Sequence, residues 1–207
     1  RGSPRRAFSL RYEPKGGAIV TTAFTIWCTG LPSSGGGNLA SAIASRLQEC
    51  AIPTRLLLST SIRESSLGFT KDERDQHVDR LGEMAHTAMQ EGDVAVVAAV
   101  SPFSDARNAV REKVGVFFEV HVSTPKPACI DQCTTGNWIK ALTGEIRDFT
   151  GIDQPYEEPS DPECRVDLST MSISDATTSI VEMLKQSGYL TASTDTDSRH
   201  ARQSSNH

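Results

Sequence analysis

The chain has 207 residues, enough for one well-buried domain, and its 37% hydrophobic and 23% charged residues are typical of a globular protein. The formal net charge of -5 disfavours a duplex nucleic-acid partner, and no apolar run approaches the ~20 residues that cross a bilayer, which disfavours a membrane partner. The five cysteines are odd in number and scattered, which is typical of a reducing compartment, so we expect a cytoplasmic location.

The two ends of the chain differ in composition from its middle. Residues 1–22 are rich in Arg, Gly, Ser and Pro without apolar periodicity, which predicts a flexible basic linker or arm. Because the chain begins with Arg1 rather than Met, we expect a piece processed or excised from a longer polypeptide. Residues 191–207 offer almost nothing that a core could bury, which predicts a disordered polar tail. The residues between these two ends, 23–190, are predicted to form one domain.

Within that domain, short apolar runs alternate with longer helical patterns. Strands are predicted at 23–28, 55–58, 94–100, 117–122 and 165–168, and helices at 72–91, 104–113 and 174–187. The helix at 174–187 is predicted to begin at a capping Ser174 and to end before Gly188. This alternation predicts an α/β fold, a three-layer sandwich with a parallel sheet between helices, which binds ligands at the carboxyl ends of its strands.

A glycine-rich turn follows the first predicted strand, where phosphate-binding loops lie. It reads GLPSSGGGNLA at 30–40. The sequence pattern of a phosphate-binding loop is G-x-x-x-x-G-K-[ST]. Gly30 and Gly35 occupy the glycine positions, Gly36 replaces the lysine, and Gly37, followed by Asn38, replaces the magnesium-binding hydroxyl. We expect backbone amides that attract an anion, without the groups that neutralise the phosphates of ATP. An ordinary strand–helix turn is the alternative.

Five further segments resemble one enzyme family. They are TIWCTGL at 25–31, LGFT at 67–70 with Glu73-Arg74, SPF at 101–103 with Arg107 and Arg111, GEI at 144–146, and FTGIDQPYE at 149–157. On these segments the chain resembles adenosine 5′-phosphosulfate (APS) kinases over roughly residues 23–190. The resemblance implies a P-loop-kinase-type fold and a homodimer. It also implies transfer of the γ-phosphoryl group of ATP to the 3′-hydroxyl of APS, which yields 3′-phosphoadenosine 5′-phosphosulfate (PAPS).

The resemblance also implies a set of nucleotide-binding residues. They are Arg63, Phe69, Arg74, His77, Ser101 and Phe149. By the family's motifs, the two arginines and the serine contact the sulfonucleotide, and the two phenylalanines sandwich its adenine, roles that suit guanidinium and aromatic side chains. His77 stands where the family has an asparagine. A replacement catalytic base and a polar surface residue of a helix are both open interpretations of this histidine.

Several positions depart from the family's pattern, mainly on the catalytic side. The segment at 58–60 reads LST where the family has D-G-D, whose aspartates handle metal and the substrate hydroxyl. The lid reads CTTGNWIKAL at 133–142 and keeps only Lys140 of its basic residues. Cys133 has no basic neighbour in sequence, so we expect an unreactive thiol. Trp138 either stacks on a nucleotide or packs the lid against the body.

These departures, together with Gly36 and Gly37, predict no catalytic residue and no metal site, with Mg-ATP as a cofactor only if kinase activity persists. We therefore expect a catalytically impaired domain, a pseudokinase of sulfate activation that binds APS or PAPS as a regulatory nucleotide. The resemblance extends to the APS-kinase-like allosteric domain of fungal ATP sulfurylases, which implies a covalent link to, or association with, ATP sulfurylase. An active adenylylsulfate kinase is the first alternative, and a structural dimerisation module is the second.

Overall fold

Five parallel strands form the central sheet of the computed structural model, which describes residues 18–20, 22–62 and 70–192. The strands are β1 (Ala18–Val20), β2 (Thr25–Gly30), β3 (Thr54–Leu58), β4 (Val94–Ala98), β5 (Phe117–Val122), β6 (Cys164–Val166) and β7 (Leu190–Ala192). The sheet has the order β3-β4-β2-β5-β6, so β2 lies at its centre. The predicted bounds of β5 are confirmed, whereas β4 ends two residues before its predicted end.

Helices connect these strands. They are α1 (Gly36–Glu49), α2 (Ser59–Ile62), α3 (Lys71–Gln90), α4 (Ser104–Val114), α5 (Lys126–Asp131), α6 (Asn137–Leu142) and α7 (Ile173–Gln186). The side chains of Thr70 and Glu73 form a capping box at the start of α3. The prediction of Ser174 as the cap of α7 is wrong, because Ser172 is the residue whose side chain accepts from the Asp175 amide. In the described ranges, no helix is long and apolar enough to cross a membrane.

The sheet is covered on both faces. Successive side chains of a strand point to opposite faces, so Ile26 and Val96 pack toward α1 and α7, whereas Trp27 and Val97 pack toward α3 and α4. This double burial explains why β4 is apolar throughout. The predicted three-layer α/β sandwich with a parallel sheet is therefore confirmed.

The described chain extends slightly beyond the predicted domain limits. Strands β1 and β7 pair antiparallel, with Ala18 opposite Ala192 and Val20 opposite Leu190. Strand β1 thus lies inside the predicted linker, and residues 191–192 lie inside the predicted tail. Residues 1–17 and 193–207 are outside the described residues, so the flexible arm and the disordered tail stay predictions.

A buried ion-pair network fixes the loop after residue 156 to the sheet. Arg107 on α4 donates to Glu119 on β5 at 3.0 Å and to the carbonyl oxygens of Ser101 and Glu157, each at 2.7 Å. Arg111 donates to both Glu119 and Glu163. Because the Arg107 guanidinium is hydrogen-bonded in three directions inside the protein, removing either partner would leave an uncompensated buried charge. Arg107 and Arg111 therefore hold the segment at 157–163, which follows the FTGIDQPY motif, against the sheet.

His121, on β5, makes stability depend on pH. Its side chain is 2% exposed, and burial, followed by the nearby Arg165, lowers its pKa from 6.5 to about 4. The unfolded chain binds this proton at higher pH than the folded chain does. The histidine's contribution to stability is therefore complete above pH 6.5 and is lost as the pH falls to about 4, by up to about 3 kcal/mol.

We predict that His121→Gln flattens the fall in the free energy of unfolding between pH 6.5 and pH 4.5, measured by urea denaturation at several pH values. The reason is that glutamine has no proton to bind in the unfolded state. Equally steep declines in the wild type and the variant would contradict the prediction.

Candidate functional site

A cavity of about 750 Å³ opens at the carboxyl edge of the sheet. Its walls come from the loop after β2, the ends of β3 and β4, the segment at 132–137, Phe149 and the residues just before α7. This is the place where open α/β sheets bind ligands, and the volume is in the range of small-molecule sites.

The glycines at both ends of the loop are required by close packing. A Cβ atom at Gly30 would lie 2.5 Å from the carbonyl oxygen of Val122 on β5. Gly35 has a φ of +94°, and a Cβ atom there would lie 2.7 Å from Leu168 Cδ1. The Ser34 carbonyl accepts from Thr124 Oγ1 at 2.8 Å, which ties the loop to the segment after β5. These contacts set the loop's path into α1.

Gly36 and Gly37 are under no such constraint. A Cβ atom at Gly36 would meet nothing closer than 3.8 Å, and one at Gly37 would meet nothing within 4 Å. Both lie in the first turn of α1, where an ordinary side chain fits. The loop therefore has room for side chains at these positions, and its packing does not require glycine at either of them. The first amides of α1 still present a partial positive charge to the cavity.

The described lining of the cavity carries no formal charge. No Asp, Glu, Lys or Arg is among the described residues that line it. Its polar side chains are hydroxyls and amides, namely Ser33, Ser34, Asn38, Ser59, Thr60, Gln132, Thr134, Thr135, Asn137 and Ser172. In the same described parts of the chain, no group of three or more His, Cys, Asp or Glu side chains is arranged to hold a metal ion. The lining offers hydrogen bonds, with no countercharge for a metal-bound triphosphate.

The end of β3 brings a hydroxyl and an imidazole together at one wall. Ser59 lines the cavity, and its Oγ lies 2.8 Å from Nε2 of His77 on α3. His77 is 5% exposed, so the interpretation as a surface residue is wrong: the side chain lies behind the wall and reaches the cavity through Ser59. Sequence reasoning named His77 but missed Ser59. The available signal was the position of Ser59, directly after a buried strand at the sheet's carboxyl edge.

Phe149 lines the cavity and packs against Trp138, with ring centroids 5.0 Å apart and an interplanar angle of 74°. Trp138 is fully buried, and its Nε1 donates to the carbonyl oxygen of Pro32 in the loop at 3.1 Å. Of the two open interpretations, packing of the lid against the body is the one that the structure shows. Phe69, the second predicted adenine-binding residue, lies outside the described residues.

Two other residues that were predicted to contact the nucleotide form hydrogen bonds within the protein. Arg74, 7% exposed, donates to the Asp148 carbonyl oxygen at 2.6 Å and so ties α3 to the turn that carries Phe149. Ser101 Oγ accepts from Trp27 Nε1 at 3.0 Å and lies 3.1 Å from Thr29 Oγ1. Neither residue lines the cavity, and Arg63 lies outside the described residues. Direct contact of these three residues with a sulfonucleotide stays a prediction.

Asp153 holds the turn at 148–153, which carries Phe149. Its carboxylate accepts from the backbone amides of Asp148 at 2.6 Å and Phe149 at 2.5 Å. Although burial acts in the opposite direction, these two amides lower the pKa of Asp153. The carboxylate therefore stays ionised and fixes the backbone on which Phe149 sits.

Cys133 lies in the segment beside the glycine loop, where hydrogen bonds reach its thiol. Burial acts to raise its pKa, but hydrogen bonds from the Thr135 hydroxyl, the Trp138 amide and the Ser33 hydroxyl lower the pKa to about 6. The expectation of an unreactive thiol considered only basic neighbours, whereas hydrogen bonds to a thiolate also lower its pKa. The reactivity of this thiol stays a prediction.

The fold and the glycine loop define a P-loop-kinase-type nucleotide domain, and comparisons with known proteins give its family. The family model for adenylylsulphate kinase matches residues 22–167. The adenylyl-sulfate kinase of Rippkaea orientalis is 38% identical over 171 residues, covering 80% of this chain and 93% of the relative. That of Gloeothece citriformis is 37% identical, covering 80% of this chain and 96% of the relative. The chain belongs to the adenylylsulfate kinase family.

Solved structures agree with this family. The APS kinase of Mycobacterium tuberculosis in complex with AMPPNP and APS is 32% identical with a TM-score of 0.74, and the match covers 79% of this chain and 98% of that chain. A hexameric APS kinase from Thiobacillus denitrificans is 28% identical with a TM-score of 0.62, covering 81% of this chain and 30% of that chain.

By sequence, the chain is also similar to the sulfate adenylyltransferase of Gibberella zeae. The two are 37% identical over 174 residues, which are 81% of this chain and 30% of that relative.

We predict that iodoacetamide alkylates Cys133 with a midpoint near pH 6, read by mass spectrometry of the tryptic peptide, because the thiolate is hydrogen-bonded. Thr135→Ala removes one of those hydrogen bonds and should raise the midpoint. Cys133→Ser removes the reactive site and is the control for the other four thiols. A midpoint above pH 8 in the wild type would contradict the prediction.

Proposed function

We propose that this chain is a nucleotide-binding domain of sulfate activation that holds APS or PAPS in the cavity without transferring a phosphoryl group. The observation that carries the proposal is the uncharged described lining around a loop that has room for lysine and hydroxyl side chains and lacks them. Family membership supports the ligand class.

The same cavity has groups suited to each part of a sulfonucleotide. Phe149 offers an aromatic face to the adenine, and the loop amides with the first turn of α1 offer donors to the 5′-phosphosulfate. Arg74 supports this end indirectly, because it anchors the turn that carries Phe149.

Phosphoryl transfer requires more. In P-loop enzymes a lysine and a hydroxyl-bound magnesium ion neutralise the charge that spreads over the terminal phosphate, and one such electrostatic contact contributes several kcal/mol to transition-state stabilisation. Glycine at 36 and 37 offers only backbone amides, and Leu58 and Thr60 replace the two aspartates of the family's pattern. The proposal therefore assigns the domain a binding role.

An active adenylylsulfate kinase is the second candidate function, and the comparisons favour it. The relatives named adenylyl-sulfate kinase are 34–38% identical and match over nearly their whole length. The similar structure from Mycobacterium tuberculosis holds AMPPNP and APS together. Under this candidate, Mg-ATP is the cofactor, and side chains other than those at 36, 37, 58 and 60 neutralise the phosphates.

The partners belong to the same proposal. Similarity to one part of the Gibberella zeae sulfate adenylyltransferase supports a domain linked to, or associated with, an ATP sulfurylase, which a bound sulfonucleotide would regulate. The hexameric relative supports self-association, with a homodimer as the smallest form. The cysteine usage supports a cytoplasmic location.

We predict that magnesium does not change the affinity for either sulfonucleotide, APS or PAPS. Each should bind at least tenfold more tightly than Mg-ATP, measured by isothermal titration calorimetry. Arg74→Ala should weaken sulfonucleotide binding at least tenfold, because the turn that carries Phe149 loses its anchor on α3. Arg46→Ala removes an exposed arginine of α1 that pairs with Glu49 and should leave affinity unchanged. Tight binding of Mg-ATP to the wild type would favour the kinase candidate instead.

We predict that restoring the missing side chains with Gly36→Lys and Gly37→Ser raises Mg-ATP affinity at least tenfold, because the positions have room and the lysine supplies countercharge. The matched control, Gly36→Ala with Gly37→Ala, removes the same two helix glycines and should stabilise the fold by about 0.5–1 kcal/mol per position without a gain in affinity. Equal Mg-ATP affinities for the two double variants would contradict the prediction.

A further inference from the structure

Unfavourable backbone conformations are concentrated at the margin of the cavity. In the described parts of the chain, the residues other than glycine that have a positive φ are Ser33, Ala51, Ser101 and Asp148. Ser33 lines the cavity. Ser101 directly follows Val100 and Asp148 directly precedes Phe149, and Val100 and Phe149 both line it. Such conformations cluster at binding sites, because only the surrounding structure holds a residue in them.

The conformation of Ser101 is unfavourable on two counts. Its φ of +36° lies below the range of about +50° to +70° in which left-handed residues are found. Pro102 follows it, and the residue before a proline prefers an extended backbone with a negative φ. A serine lacks the freedom of glycine at positive φ. Contacts with the rest of the protein must therefore hold Ser101 in this conformation.

Hydrogen bonds hold Ser101 from three sides. Its Oγ accepts from Trp27 Nε1 at 3.0 Å and donates to Thr29 Oγ1 at 3.1 Å. Its carbonyl oxygen accepts from the Arg107 guanidinium at 2.7 Å. Ser101 is 2% exposed and does not line the cavity. Its hydroxyl and its carbonyl are thus both bonded within the protein.

The same contacts set the cavity wall at the end of β4. Ala99 and Val100 line the cavity and lead directly into Ser101. Thr29 Oγ1, which accepts from Ser101, donates to the Val100 carbonyl oxygen at 2.7 Å. Because φ of Ser101 is the rotation about the bond that follows the Val100 peptide group, a change in this angle would move the wall.

From these observations we propose that Ser101 is a positioning residue that holds Ala99 and Val100 in the cavity wall through its left-handed backbone. The bonds to Trp27 and Thr29 keep this backbone in place, so the wall is formed before a nucleotide binds and binding does not have to order it. Direct contact of the Ser101 hydroxyl with the nucleotide is the alternative. This inference rests on the proposed function, because it requires a nucleotide in the cavity, and it deepens that function by assigning how Ser101 supports binding.

Calorimetric titration with APS of two variants at position 101 tests the proposal. Ser101→Ala and Ser101→Gly lose the same hydrogen bonds, but only glycine adopts a positive φ without steric cost. Ser101→Ala should therefore bind APS at least tenfold more weakly than the wild type, whereas Ser101→Gly should stay within about threefold of it. A hydroxyl that contacts the nucleotide would be lost equally from both variants. Equal APS affinities of the two variants, at any level, would overturn the inference.

Thr29→Val gives a second test that leaves the Ser101 hydroxyl in place. Thr29 is 1% exposed and does not line the cavity, and the substitution removes the donor to the Val100 carbonyl while it keeps the shape of the side chain. It should weaken APS binding at least threefold, because the wall loses one of its anchors. An APS affinity equal to that of the wild type would contradict the proposal.

A matched control separates the cavity wall from backbone strain in general. Ala51→Gly relieves a positive φ in an exposed turn after α1, at a residue that does not line the cavity, and should leave the APS affinity unchanged. Binding of APS by the wild type, with an unchanged affinity in Ser101→Ala, would overturn this inference and leave the proposed function standing. If the wild type binds no APS, both are overturned.

Discussion

The close packing of the glycine loop against β5 and Leu168 is the constraint on which the site depends. Gly30 approaches the carbonyl oxygen of Val122 too closely for any side chain, and Gly35 has a left-handed backbone conformation against Leu168. These two contacts direct the chain from the centre of the sheet into α1 and set the first amides of that helix at the cavity. The path of the loop therefore does not depend on the side chains at positions 36 and 37.

The lid and the turn at 148–153 depend on the same loop. Trp138 binds the Pro32 carbonyl and packs on Phe149, and Arg74 and Asp153 hold the turn that carries Phe149. These contacts use backbone carbonyls and amides, so they do not need the family's catalytic side chains. The contacts that shape the cavity are thus made by atoms other than the side chains at positions 36 and 37.

Much of the fold could be predicted because apolar periodicity reports burial directly. The run at 117–122 is buried on both faces and was predicted with correct bounds, and the motif at 149–157 gave the family. The cap of α7 was misplaced because Ser172 and Ser174 are chemically equal candidates, and only the chain's path decides between them. The Ser59–His77 pair, 18 positions apart, depends on a tertiary hydrogen bond, which leaves no periodic pattern in the sequence. The pKa of Cys133 is lowered by hydrogen bonds from Thr135, Trp138 and Ser33, whose geometry the sequence does not give.

The most direct test of the central claim is a coupled assay of the purified chain with Mg-ATP and APS, in which the formation of ADP and of PAPS is followed together. The account predicts no product above a control without protein, because no described residue of the cavity lining supplies the countercharge that the terminal phosphate needs. Magnesium-dependent formation of ADP and PAPS in equal amounts would contradict it and would establish the chain as an active adenylylsulfate kinase.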